Sequence, residues 1–225
     1  MNALSGRLAL GNDVPTGASL AEKAYLLLRH RIVTLEMQPG SPIGEDEVMH
    51  ELGMSRTPIR EAIIRLAKDG LVTVVPRRQT LVSEVRIGHL AEISEVRAEL
   101  EGFAAGLAAE RFAPDDAPEL HALLDELDRL EQLGDHSTLI ELDRRVHDFV
   151  YRTCRNSFLR ADGSRYYYLS LRIWFLVLDR VARLAEAVSE HRELLLAVES
   201  GDAGGASEVA RRHVTAFEQA IRQVL

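Results

Sequence analysis

Apolar positions recur along this chain at two spacings, helical over most of its length and strand-like over one short stretch. From Leu20 to about Leu35, the residues Ala24, Leu27, Leu28, Ile32 and Leu35 fall on one side at about 100° per residue, which predicts an amphipathic helix. The breakers in Gln38-Pro39-Gly40-Ser41-Pro42 end it. A short helix follows over 45–52 and passes through Gly53 and Met54 to Ser55, where a second helix begins and runs to Lys68. On that second helix Ile59, Ala62, Ile63, Leu66 and Ala67 share the core-facing arc. Thr57, Arg60, Arg65 and Lys68 lie opposite, with Arg56 at the exposed start and Ile64 standing among the polar positions. Leu71 to Val75 is β-branched and strand-like, and Thr80 to Val85 alternates as a second strand, with Pro76-Arg77-Arg78-Gln79 as a basic hairpin tip.

Beyond a linker near Val85 to Gly88 the helical period takes over entirely. It predicts helices over 88–110, 115–133, 136–155, 157–183, 185–200 and 205–224, with no convincing strand. The fold class is therefore mainly α: an N-terminal winged helix-turn-helix domain followed by an all-helical bundle domain. The boundaries read as a loose arm over 1–18, a first domain over 19–85 and a second over 86–225.

The first domain has the grammar of a DNA reader. Ser55 is placed to cap the second motif helix, and Pro58 falls in its first turn, where a missing N–H costs nothing. Two helices joined by a tight glycine-containing turn place the second in the DNA major groove. Arginine presents a planar fork that fits a guanine edge or clamps a phosphate, and Arg77 and Arg78 at the wing tip can reach the minor groove or a phosphate. Taken alone, the helix fits equally well as a surface helix with a solvated basic face.

The stretch LGMSRTPIREAIIRLAKDGLV closely resembles the signature of the GntR superfamily of bacterial transcription regulators, over about residues 19 to 85. The resemblance implies that Ser55, Arg56, Thr57 and Arg60 contact DNA. Asp46 stands where such regulators often carry Arg, Gln79 where the wing usually has Gly, and Ile64 is a further departure.

Charge and cysteine content agree with that reading. The net charge of −8 looks wrong for a DNA binder until it is divided. Residues 1–85 hold ten Lys/Arg and ten Asp/Glu, so the whole excess lies beyond them, and Ser55 to Lys68 has four cations against Glu61. A single cysteine, Cys154, excludes an intrachain disulfide framework and fits a reducing compartment. No segment has the length of apolar sequence a membrane span needs, and the start lacks a signal-peptide pattern, so a cytoplasmic protein is expected.

Three histidines of the second domain occupy apolar arcs. His191 is centred among Leu184, Ala187, Val188, Leu194, Leu195 and Val198, and His213 among Ala206, Val209, Ala210, Ala216, Phe217 and Ala220. Asp143 and His147, four apart, stack on one side of their helix beside Leu139, Leu142, Val146 and Val150. If the last two helices form an antiparallel hairpin turning near Asp202, His191 and His213 lie equally far from the bend, roughly 16 Å at 1.5 Å per residue. They then face each other at one level. With Asp143 and His147 they make a three-histidine, one-carboxylate set suited to a divalent metal, Zn or Ni foremost. Taken singly, each histidine fits as a satisfied core residue.

LDRRVHDFVYRTCRNSFL, EHRELLLAVESGD and RRHV resemble the three segments of the helical C-terminal domain of the FadR subgroup of GntR regulators, called FCD, and EVRAELEGFAAGLAA resembles its first helix. Many of its members bind a divalent metal through one Asp and three His, which the resemblance maps onto Asp143, His147, His191 and His213. Val146 replaces the usual Phe before the first His. The resemblance also implies sensing of a small organic acid or related metabolite. Arg97 is the first candidate to pair with such an effector, though it equally fits an i,i+4 pair with Glu101, and Arg172, near Tyr166–Tyr168 and Trp174, is the second. The expected protein is a metabolite-responsive transcriptional regulator, a homodimer on a palindromic double-stranded operator, and not an enzyme. The alternative is a metal-dependent enzyme fused to a DNA-binding domain. Against it, no Ser–His or Cys–His arrangement and no phosphate-cradling loop is present.

Overall fold

A computed structural model describes residues 17–76, 78–130, 136–177 and 184–224. It contains α1 (Leu20–Val33), α2 (Glu45–Leu52), α3 (Arg56–Lys68), strands β1 (Val72–Val75) and β2 (Gln79–Val82), then α4 (Leu90–Arg111), α5 (Ala117–Leu130), α6 (His136–Thr153), α7 (Ser157–Val177), α8 (Leu184–Glu199) and α9 (Ala203–Arg222). Two compact units divide it: Met1–Ile87 with Leu171–Leu176, and Gly88–Ser170 with Val177–Leu225.

In the first unit α1 packs on α3 and α2 on α3, around Ala24, Leu28, Ile32, Val48, Ile59, Ala62, Ile63 and Leu66, all buried. Helix α1 starts where the Ser19 hydroxyl accepts from the Glu22 amide at 3.1 Å, and it stops two residues sooner than its apolar period suggests. Leu35 takes a left-handed φ of 62° beyond the end, and Tyr25 and Val33 join the buried stripe instead. Helix α2 closes on Gly53 at φ 62°, a conformation that costs a side chain with Cβ but not glycine. Ser55 sits at the N-cap of α3 in extended backbone, yet its hydroxyl makes no cap bond, contrary to the expectation from its residue type. The hairpin pairs Val72 with Val82 through Val75 with Gln79, antiparallel. The period did not foresee that residues 40–43 lay themselves along β2, through Ile43 N–H to the Thr80 carbonyl at 2.8 Å and Val82 N–H to the Ser41 carbonyl at 2.9 Å. The wing is thereby tied to the entrance of α2.

The second unit is a helical bundle in which α4 lies along α9, with α6, α8 and α5 packed around them. Ala104, Ala105, Ala108 and Ala109 of α4 and Ala206, Val209 and Ala210 of α9 are all buried, and such small residues let two packed helices approach closely. Leu120, Leu123, Leu127, Ile140, Leu142, Phe149, Leu195 and Val198 complete the core. Helix α9 begins earlier than its sequence period predicts, because the Asp202 carboxylate accepts from the Gly205 amide at 2.9 Å and caps it. Residues 178–183 of the helix expected over 157–183 lie outside the described residues.

Gly163, inside α7, faces the buried ring of Tyr151, where an added Cβ would sit 2.4 Å from a ring carbon. Gly→Ala inside a helix ordinarily stabilises by about 1 kcal/mol. Here overpacking of about 1–3 kcal/mol opposes that gain and wins, because the enclosed ring has nowhere to swing. Gly163→Ala is expected to lower the midpoint of a circular-dichroism melt by a few degrees; a raised midpoint would show the ring to be free.

Candidate metal centre and nucleic-acid interface

Helices α6, α8 and α9 deliver four side chains to one point inside the second unit. Asp143 and His147 come from successive turns of α6, His191 from α8 and His213 from α9. The Nε2 atoms of His191, His147 and His213 lie 3.3, 3.6 and 3.8 Å from Asp143 Oδ1. All four candidate ligand atoms fall within 4.8 Å of one another. Most of these separations are too long for hydrogen bonds. The three distances from Asp143 Oδ1 are close to the roughly 3.3 Å between ligands at the corners of a tetrahedron whose centre lies about 2 Å away, the bond length of Zn²⁺ to imidazole or carboxylate. The level of the two hairpin histidines agrees with the residue count from the bend: their ring centroids are 4.4 Å apart.

The surrounding groups aim the ligands. Glu101 Oε2 lies 3.1 Å from His147 Nδ1, and Glu190 Oε2 lies 2.9 Å from His213 Nδ1. A carboxylate at Nδ1 holds the proton there and turns the Nε2 lone pair inward. Tyr167 donates from its hydroxyl to Asp143 Oδ2 at 2.6 Å, leaving Oδ1 for the centre. The Nε2 atoms of His147 and His191 are buried without a hydrogen-bond partner, a cost that a bound cation would remove. The donor set thus fits a divalent metal.

Without a cation the cluster distributes charge unevenly. Burial alone would lower His147, but the Glu101 and Asp143 carboxylates outweigh it and raise its pKa to about 9. Burial, aided by the charge of His213, pushes His191 down to about 4 against the pull of Asp143. For Asp143, burial opposes ionisation, yet His147 and His191 hold its carboxyl well below the usual range.

Arg97 is buried in this neighbourhood rather than open to it. Its Nε donates to Glu101 Oε1 at 2.7 Å and its Nη1 to the Ser170 hydroxyl at 2.6 Å. The i,i+4 pair is therefore formed, and through the other oxygen of Glu101 it braces His147. Arg172 belongs to the first unit, where its Nη2 donates to the Ser83 carbonyl at 2.8 Å, and burial lowers its pKa to about 10 against the pull of Glu84. Glu190 and Tyr167 escaped the sequence reading. Nothing in the chain marks Glu190 as the partner of a residue 23 positions on, and Tyr167 reads as core because its neighbours are aromatic.

In the first unit, Ser55, Arg56, Thr57 and Arg60 are all exposed, at the start and along the outer face of α3. Arg78 is exposed at the turn between β1 and β2; Arg77 lies outside the described residues. Arg65 separates from this group. It pairs with Glu22 and stacks 3.9 Å over the Tyr25 ring, whose hydroxyl donates to Asp69 at 2.8 Å, so it braces α1 against α3. The first turn of α2 supplies partners to the two outer arginines: Asp46 meets Arg56 at 2.6 Å and Glu45 meets Arg60 Nε at 2.9 Å.

A winged helix-turn-helix followed by a helical bundle with an inward histidine–aspartate cluster defines a transcription regulator of bacterial type. The chain belongs to the GntR family of bacterial regulatory proteins, whose model matches residues 20–82, and carries an FCD domain, whose model matches residues 92–216. It is 29% identical to the HTH-type transcriptional regulator McbR of Escherichia coli (strain K12) over 79% of this chain and 81% of that one. It is 30% identical to a probable D-xylose utilization operon transcriptional repressor of Paenarthrobacter nicotinovorans, over 96% of this chain and 92% of the relative. The solved structure of E. coli McbR/YncC superposes with a TM-score of 0.79 at 26% identity, covering 92% of this chain and 98% of that one. Family and relatives are DNA-binding transcription regulators and not enzymes, so the reading as a metal-dependent enzyme is set aside. Among the described residues no helix is long and apolar enough to cross a membrane.

The Asp46–Arg56 pair is exposed, and such pairs add at most about 1 kcal/mol to stability. Asp46→Asn is expected to leave the melting midpoint within about 2 °C while tightening DNA binding about two- to fivefold at low salt, by freeing the guanidinium and removing a charge that repels phosphate. Fluorescence anisotropy over a salt series measures both affinity and slope; unchanged affinity would show that the pair does not compete with DNA.

Proposed function

We propose that this regulator senses a small organic acid or related metabolite at a divalent metal held by Asp143, His147, His191 and His213, and adjusts its grip on a palindromic operator accordingly. The reading rests on one observation: four donor atoms converge at the spacing of ligands on a common cation, and two buried Nε2 atoms there have no other partner. Zn or Ni suits imidazole and carboxylate together. When bound, such a metal offers an electrophilic position that an effector carboxylate can occupy. Glu101 and Glu190 orient His147 and His213, Tyr167 holds Asp143, and Arg97 keeps Glu101 ionised in a buried setting. Burial pushes Glu101 up, but the Arg97 and His147 charges draw it down to about 2.

The protein acts as a cytoplasmic homodimer that places two α3 helices about one DNA turn apart, and it represses, as several of its relatives are named to do. Ser55, Arg56, Thr57 and Arg60 contact the duplex in the major groove, with Arg77 and Arg78 of the wing alongside. Regulation requires that the effector bind the DNA-competent and DNA-incompetent arrangements with different affinity.

Elemental analysis of protein prepared without chelator is expected to find about one divalent ion per chain, and His191→Ala to lose it while binding DNA normally. Glu190→Gln, which removes only an orienting carboxylate, is expected to weaken Zn affinity about 10–100-fold by competition with a chromogenic chelator. Failure of the wild-type protein to take up Zn or Ni on titration would defeat the metal-centre reading. Arg60→Ala is expected to lower operator affinity at least tenfold with an unchanged melt; retained affinity would remove Arg60 from the reading face.

A further inference from the structure

The outer face of α3 is polar except at one position. Thr57, Arg60, Glu61 and Lys68 are exposed as their chemistry demands, but Ile64 is also 56% exposed, while its neighbour Ile63 is 4% exposed in the core. A single exposed isoleucine elsewhere on a surface signifies nothing. This one stands one helical turn past Arg60 and two past Thr57, on the crest shared by the DNA-facing side chains. Uncovered in the free protein, it has apolar area to bury only when something docks on that face.

Resting on the assignment of α3 as the reading helix, we propose that Ile64 is a specificity-determining residue that packs against the C5-methyl group of a thymine. Among the four bases the major-groove edge offers one apolar group of any size, that methyl; the rest is donors and acceptors that a butyl side chain cannot satisfy, and small ring C–H edges that give it little to pack on. Ile64 lies about 6 Å along the helix from Arg60, at 1.5 Å per residue, which spans one to two base-pair steps of 3.4 Å. The thymine is therefore within two base pairs of the base or phosphate that Arg60 takes, once in each half-site. Cytosine at that place presents C5–H where the methyl stood, so the isoleucine loses the apolar contact while crowding water from the neighbouring amino group.

The test uses the full-length protein and duplexes enriched from a random-sequence pool. Each thymine of the enriched duplex is replaced in turn by deoxyuridine, which keeps every hydrogen-bonding group and lacks only the methyl. For the wild-type protein, one symmetry-related pair of positions is expected to lose about three- to fivefold in affinity per half-site, the worth of one buried methyl-sized group. Ile64→Ala is expected to bind the thymine and uracil duplexes alike, and Ile64→Val to retain the discrimination. Being exposed, position 64 tolerates both changes, and an unchanged melt confirms it. Equal losses for wild type and Ile64→Ala at every thymine, with tight wild-type binding throughout, would overturn the role of Ile64 while leaving α3 as the reader. Enrichment of no duplex at all would overturn the assignment of α3, and this inference with it.

Discussion

A carboxylate drawn into an apolar bundle must be paid for by cations or donors, and Asp143 meets that demand with three imidazoles and a phenol. Around this one group the second unit arranges α6, α7, α8 and α9, each contributing a side chain to its two oxygens. The next layer repeats the logic. Glu101 is buried as well, and it is balanced by Arg97 on its own helix and by His147 across the bundle. The resulting chain from Ser170 through Arg97 and Glu101 to His147 leaves few of its polar atoms unanswered. Its His147 Nε2 is left without a hydrogen-bond partner, as is Nε2 of His191 beside it, and both lie at the ligand cluster. Buried polar groups that fail to find partners are costly, and at these two Nε2 atoms, beside the Asp143 carboxylate, a bound cation would remove that cost.

The first unit solves a different problem. Its core is mainly apolar, and the arginines of α3 differ in what they touch. Arg65 is enclosed enough to serve as a brace between α1 and α3 through Glu22 and the Tyr25 ring. Arg56 and Arg60 remain in solvent, each resting on an acidic residue of α2. Exposed pairs of that sort are weak and screened by salt, so they hold the guanidinium groups without committing them. Asp46, which departs from the residue its family often carries there, thus acquires a place: it pairs with Arg56.

Helices, hairpin and fold class were legible from the chain because each depends on short-range periodicity; the four ligands were legible as candidates from that periodicity and the family resemblance, while their convergence rests on how α6, α8 and α9 pack. Asp143 and His147 are four apart on one helix, and the level of His191 with His213 follows from counting outward from Asp202. Element ends were less secure: α1 stops at Val33 and α9 begins at Ala203, because backbone conformation at Leu35 and a side-chain cap at Asp202 override the apolar period. Arg97 was legible only as two alternatives, and the pair with Glu101 is the one formed. Periodicity by itself could not tell Arg65 from Arg60, since both lie on the polar arc; the family resemblance singles out Arg60, and Tyr25 and Glu22 beside Arg65 give that arginine a different role.

By itself, then, the sequence determined what is local: the capping and breaking of helices, the face each presents, the sign of charge along α3, and the residue types able to hold a metal. Tertiary structure alone decided which carboxylate stands behind which imidazole, that residues 40–43 join the wing, that Arg172 turns to the Ser83 carbonyl, and that Ile64 is left uncovered. Those outcomes depend on contacts between residues far apart in the chain, whose pairing is settled by how helices pack and what they enclose, and no repeat of 3.6 or 2 residues encodes that.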